Sequence, residues 1–228
     1  MKHLTILPCK LLFVQDAANR YAKYWEMRRM ICNSDEMCYR KLTLDDGLQD
    51  DALALSMGLC QLLPPNKKDP SGRSIIFMDS SRQDHSKITV RSQARAAAYM
   101  AMAALEDEET QRKGLVVIFW PAKERWDQPN REFITLMGKT VKGALPIRLS
   151  GAHICQPPAF IRLVLPLVKM AMGERLRKRI LFHTGSCEDV QKTLEPYGLT
   201  KDILPTELGG DVVLDQDAWL AARRQEGL

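Results

Sequence analysis

Apolar residues recur along this chain with two different periods, and the alternation between the periods predicts the architecture. Residues 16–30 place Ala17, Tyr21, Tyr24 and Trp25 at helical spacing behind Asp16, an N-cap residue type. A second helix is expected from Thr43, with Leu48, Ala52, Leu55 and Leu59 on its apolar side. The breaker-rich stretch LLPPNKKDPSGR that follows is the best domain boundary in the chain. Beyond it Ser74 to Met78 reads as a strand, Val90 to Glu108 as a long alanine-rich helix with a turn at Arg112 to Gly114, and GLVVIFW as a strand covered on both faces. A helix capped by Asn130 runs to Val141. The alternation continues with strand Gly151 to Cys155, helix Pro158 to Met172, strand Ile180 to His183 and helix Ser186 to Leu194. A short apolar run, Val212 to Leu214, and a terminal helix capped by Asp215 or Asp217 complete the chain.

Strand, helix, strand, helix implies an α/β fold: a mainly parallel sheet covered by helices, preceded by an N-terminal helical lead-in. The expected division is a helical lead-in over 1–62, an α/β domain over 70–214 and a C-terminal helix over 215–228. No run of eighteen uncharged apolar residues occurs, so a spanning helix is not expected. MKHLTILPCKLLFV resembles a secretory signal only faintly, because Pro8 and Lys10 interrupt it and no small-residue cleavage site follows.

Charge changes the picture through its placement. The chain carries 33 Lys+Arg against 28 Asp+Glu, a net of +5. The window from Gln156 to His183 alone holds Arg162, Lys169, Arg175, Arg177, Lys178 and Arg179 against Glu174, so one basic face is expected rather than a basic protein. The six cysteines form no C-x-x-C pair; neither a zinc site nor a disulfide framework is indicated, and reduced thiols in a cytoplasmic protein are expected.

Catalytic motifs are absent: G-x-S-x-G, the P-loop, H-E-x-x-H and G-x-G-x-x-G do not occur. His153 and Cys155 share one face of a strand and read as core residues. His183 and Cys187, in HTGSC, offer a thiol–imidazole pair, but no local carboxylate orients it. A tight Thr-Gly-Ser turn capping the next helix is the better reading. No catalytic residue, metal ligand or cofactor is therefore assigned.

The segment PAFIRLVLPLVKMAM, residues 158–172, is the most informative. At 100° per residue Arg162 and Lys169 fall within about 20° of each other, and the rest of the circumference is apolar. Such a helix is sunk in a core, covers an apolar cavity or touches lipid. Pro166 weakens it and the basic run GERLRKR follows it, the pattern of an element that swings open at an anionic bilayer.

Taken in order, LPIRLSGAHICQPPAFIRLVLPLVKMAM, RKRILFHTG and ILPTELGG resemble the core of the CRAL-TRIO lipid-binding family, which includes the tocopherol and retinaldehyde carriers and the yeast phosphatidylinositol transfer protein. The resemblance covers about Pro70 to Gly210, and LPTELGG is its most specific piece. It implies a hydrophobic pocket floored by the sheet and closed by the helix Pro158 to Met172, and a carrier rather than an enzyme. On this basis Phe119, Phe160, Leu163, Val164, Leu167, Val168 and Ala171 are expected to line the ligand site, and Arg175, Arg177, Lys178 and Arg179 to dock on membranes. The implied partners are one lipid or other hydrophobic small molecule and, transiently, an anionic membrane surface, with no nucleic acid; the protein is expected to be a cytoplasmic monomer with peripheral membrane association. Ile147 stands where phosphatidylinositol-exchanging members carry an acid, so no preference for inositol lipids is implied. A scaffold of the same fold, its pocket filled by Phe77, Phe119 and Trp120, is the alternative.

Overall fold

A computed structural model of the chain describes residues 14–32, 34–123, 130–139, 147–161 and 174–228. Helix α1, Val14–Ile31, buries Tyr24, Met27 and Ile31, a one-sided stripe at i, i+3 and i+7. A short α2, Asp35–Tyr39, starts where the Ser34 hydroxyl accepts the Met37 amide at 3.1 Å. The helix expected from Thr43 is shorter and later. Residues 43–47 turn, because Gly47 approaches the Lys41 carbonyl so closely that a Cβ would sit 2.3 Å from it. A 3₁₀ turn, Gln49–Asp51, leads into α3, Ala52–Ser56, and Gly58 at φ 67° ends the helical run before Leu59.

Five strands lie side by side in chain order: β1 Cys60–Leu62, β2 Ile75–Asp79, β3 Leu115–Trp120, β4 Leu149–Cys155 and β5 Ile180–His183. The edge strand β1 is antiparallel to β2; all later pairs are parallel. Strand β1 falls inside the range expected for the lead-in, and LLPPNKKDPSGR is the loop joining two paired strands, so the sheet begins before the breaker. Three residues are too few to display a strand's period beside a helical pattern.

Helix α4, Val90–Ala104, is capped by Thr89, whose hydroxyl accepts the Ser92 amide at 3.1 Å. The single long helix expected here is two, because Asp107 accepts the Thr110 amide at 2.8 Å and starts α5, Glu108–Lys113. Gly114, at φ 93°, turns the chain into β3. Helix α6, Arg131–Lys139, is opened by Asn130, as expected. A further helix begins at residue 159, a short turn α7 spans Glu174–Arg177, and α8, Cys187–Leu194, is opened by a capping box in which Ser186 and Asp189 bond reciprocally. The terminal helix α9, Gln216–Gln225, takes Asp215 as its cap.

Two cores sandwich the sheet. On one face Ile76 and Leu115 pack with α4, and that cluster continues through Leu55, Met27 and Ile31 into the lead-in. On the other, Ile75, Phe77, Val116, Ile118 and Trp120 pack with Val190 and Leu194 of α8 and with Leu199, Leu204 and Leu208. The lead-in is tied to α4 by a fully buried pair: Arg95 Nε and Nη2 each donate to Asp51 at 2.6 Å, and Arg95 Nη1 donates to the Ile31 carbonyl at 2.7 Å. The C-terminal helix is clamped to α4 in turn by Arg223, which bonds Glu106 at 2.6 and 2.7 Å and the Tyr99 hydroxyl at 3.1 Å.

Candidate functional site

Strand alternation divides the sheet's side chains. Because Val117 pairs with Ala152, and Ala152 and Ile154 with Ile180 and Phe182, one face of β3–β5 presents Val117, Phe119, Ala152, Ile154, Ile180 and Phe182. Every one is apolar. All but Ile180 are only half-buried, although Val117, Phe119, Ala152 and Ile154 stand on the inner strands β3 and β4. On the same face of β1–β2, Cys60 and Ile76 are buried in the α4 cluster and Leu62 and Met78 are half-buried against it. The opposite face is sealed, with Phe77 and Trp120 stacked at 6.2 Å between ring centroids. Of the three aromatics considered as pocket filling, only Phe119 stands on the half-covered face; Phe77 and Trp120 belong to the core behind it.

The carboxyl end of β4 carries the backbone exception of the sheet. Gln156 adopts φ 51°, a left-handed conformation disfavoured for a residue with a long side chain. It is held there by its amide: the oxygen accepts the Trp120 indole N–H at 2.9 Å, and the nitrogen donates to the Gly185 carbonyl at 3.2 Å. Its backbone N–H donates to the His183 carbonyl at 2.8 Å. Pro157, Pro158 and the helix beginning at 159 follow directly, so the strained residue fixes where the chain leaves the sheet.

Both nitrogens of His183 are occupied within the fold: Nε2 lies 3.0 Å from His153 Nδ1, and Nδ1 lies 2.8 Å from the Thr193 hydroxyl. Cys187 lies beside Gln156 and the Glu207 carbonyl, and Ser186 caps α8, so HTGSC is the turn and cap that the sequence indicated. Burial pushes the Cys155 thiol up to about 12, which keeps it protonated and inert. Among the described residues no group of three or more His, Cys, Asp or Glu side chains is arranged to hold a metal ion, and no helix is long and apolar enough to cross a membrane.

Of the residues expected to line a ligand site, Phe119 lies on the half-covered face and Phe160 lies half-buried in the first turn of the helix beginning at 159. Leu163, Val164, Leu167, Val168 and Ala171 lie outside the described residues. The floor residues Val117, Ala152, Ile154 and Phe182 were not singled out by the sequence, because their direction depends on register. Among the expected docking residues, Arg177 and Lys178 are exposed, with Lys178 paired to Glu174 at 2.7 Å. Arg179 is turned inward, donating to the Leu149 carbonyl at 2.6 Å. The side chain of Arg175 lies outside the described residues.

The LPTELGG corner has a steric logic. Gly209, at φ 73°, ends a 3₁₀ turn, Thr206–Leu208, and a Cβ on Gly210 would stand 1.9 Å from the Leu204 carbonyl oxygen.

Comparison with known proteins agrees with this geometry. Residues 60–210 match the model of the CRAL/TRIO domain, taking in β1 as well as the segments that carry the sequence resemblance. The chain is 24% identical to Clavesin-1 of Xenopus laevis over 208 residues, covering 88% of this chain and 61% of that protein. It is 26% identical to human Clavesin-2 over 145 residues, covering 62% of this chain and 43% of that one. The chain thus spans only part of the length of these relatives. The crystal structure of Sfh5 superposes with a TM-score of 0.51 at 14% identity, over 80% of this chain and 74% of that one, a likeness of fold.

Proposed function

The chain belongs to the CRAL/TRIO domain family, a family of lipid-binding and lipid-transfer proteins, and from that premise we propose that it binds one lipid-sized apolar or amphipathic molecule and carries or senses it without catalysis. The observation that carries the reading is the floor of β3–β5: six apolar side chains, five of them half-buried and four of those five on the inner strands β3 and β4, with no hydrogen-bonding side chain among them. Right-handed parallel connections in a sheet of sequential strand order all fall on one face. Helix α4 is one such connection, and it packs on this face of the sheet. A ligand laid there meets hydrocarbon, and each buried Leu-sized group contributes about 1.5–3 kcal/mol.

Phe77 and Trp120 lie behind the sheet, which disfavours the filled-pocket scaffold. At position 147 the half-buried isoleucine presents no acceptor, and its carbonyl is taken by Arg20 Nη2 at 3.0 Å, so inositol headgroups have no evident reader there. We assign the lead-in to 1–59, up to the edge strand, and treat the carrier as a cytoplasmic monomer that meets anionic membranes transiently through Arg175, Arg177 and Lys178.

The test is a bulky residue in the floor. Ala152→Trp, between Val117 and Ile180, should abolish uptake of a pyrene-labelled fatty acid while the far-ultraviolet circular dichroism stays that of the wild type. Undiminished uptake by the folded variant would reject this placement.

A further inference from the structure

Two of the three strands of the floor, β4 and β5, carry on their opposite face two buried histidines in contact with each other. His153 of β4 and His183 of β5 are each 3% exposed, and their rings stack at 5.2 Å with an interplanar angle of 28°. Their protons can be assigned from the chain of bonds. The Thr193 hydroxyl donates its single proton to the Val190 carbonyl at 2.8 Å, so His183 Nδ1, 2.8 Å from that oxygen, must donate to it. His183 Nε2 is then bare and accepts from His153 Nδ1 at 3.0 Å. This arrangement requires His183 neutral, and a proton added to His153 Nε2 leaves the bond between the rings in place. One added proton is a buried charge, and two leave opposed N–H groups facing each other.

The surroundings offer that charge little. From β4 the neighbour is the neutral Cys155 thiol, from α8 the Thr193 hydroxyl, and from the turn Glu195–Tyr197 the Tyr197 ring, edge-on to His153 at 4.9 Å. From the β1–β2 loop come Arg73, which disfavours a second cation, and Asp69, which already accepts from Arg73 Nε at 2.8 Å.

We propose that the His153–His183 pair is an acid-sensitive latch between β4 and β5, so that acidification loosens the strands under the floor and releases what the pocket holds; the release half rests on the lipid-binding reading above. Burial, then the neighbouring ring, brings His153 down to about 4, and burial lowers His183 as well. A neutral buried imidazole contributes stability that is complete above about pH 6.5 and is lost as the pH falls towards 4. At pH 5 His153 alone should raise the open population of the strand pair about 30-fold over its value at pH 8.

Hydrogen exchange between pH 8 and 5, corrected for intrinsic rates, tests the latch directly. The Ala152 and Gln156 amides, which bridge β4 to the Arg179 and His183 carbonyls, should gain at least that factor in opening, while the Val116 amide on Ser74 should not. In parallel, wild type loaded with a pyrene-labelled fatty acid should release it over the same range, and His153→Phe/His183→Phe should hold it. Equal release by that variant, or equal acid response of the Val116 and Ala152 amides, overturns the proposal. Should the variant not fold, the wild-type imidazole resonances decide: both rings titrating near 6.5 overturns it, and depressed, mutually dependent titrations support it. No uptake of the probe at any pH rejects the lipid-binding reading instead, and the exchange measurement still decides the latch.

Discussion

Removing the carboxylate of Asp51 should unfold the joint between the lead-in and the α/β lobe. Asp51 is completely buried and accepts three bonds, from Arg95 Nε and Nη2 and from the Ser92 hydroxyl, each at 2.6 Å. Arg95 is 2% exposed, and its third contact, Nη1 to the Ile31 carbonyl, ties it to the end of α1. Asp51→Ala strands a guanidinium where neither water nor another carboxylate reaches it. Breaking one side of such a pair costs about 3–5 kcal/mol. With a urea slope on the order of 2–3 kcal/mol/M for a chain of this size, the unfolding midpoint should fall by about 1–2 M. Asp51→Leu/Arg95→Met removes both charges and takes away the partners of the Ile31 carbonyl and the Ser92 hydroxyl, the carbonyl at about 1–3 kcal/mol and the hydroxyl lost equally in the single variant, so the double variant should be more stable than the single one. Urea titrations followed by tryptophan fluorescence and circular dichroism measure both. A loss below about 1 kcal/mol for Asp51→Ala, or a double variant no better than the single, would show that the buried pair does not hold the joint.

Three further outcomes follow. Gly210→Ala should cost more than about 2 kcal/mol in thermal or urea unfolding, because its Cβ meets the Leu204 carbonyl oxygen at 1.9 Å, whereas Val213→Ala, at a side chain 75% exposed, should stay within about 0.5 kcal/mol. Gln156→Leu should cost about 1–3 kcal/mol and shift the emission of Trp120, whose buried indole N–H loses its acceptor; Gln156→Gly, freed of the left-handed strain, should cost less. In sedimentation with anionic vesicles, Arg175→Glu/Arg177→Glu/Lys178→Glu should weaken binding at low salt. With about 1 kcal/mol per basic group, Arg179 turned to the sheet and Lys178 shared with Glu174, the wild-type attraction is only about 2 kcal/mol and should vanish at high ionic strength.

What the sequence reveals is set by how local each determinant is. Strand β5 and helix α8 are legible because four apolar-leaning residues, a Thr-Gly-Ser turn and a cap with its reciprocal Asp189 sit within fifteen positions. The break between α4 and α5 is hidden by a continuous helix-forming composition; only the Asp107 carboxylate, taking the Thr110 amide, decides it. Strand β1 is hidden for the same reason, since its pairing with β2 and not its own three residues makes it a strand. The candidate site shows the limit most clearly. The apolar periodicity of residues 158–172 stands out in the sequence, but the apolar face of β3–β5 is assembled from alternate residues of three strands. Its composition appears only once Val117 is paired with Ala152, and Ala152 with Ile180. His153 and Cys155 can be placed on one face from spacing alone; that His183, thirty residues on, donates its ring to the same cluster is a consequence of register.

Native mass spectrometry of the protein, purified without detergent and sprayed from a volatile buffer, tests whether the chain holds a lipid. The chain should carry one adduct of lipid mass, which extraction into organic solvent removes and identifies, and which Ala152→Trp lacks. A bare chain that also takes up no adduct after incubation with mixed-lipid vesicles would contradict lipid binding.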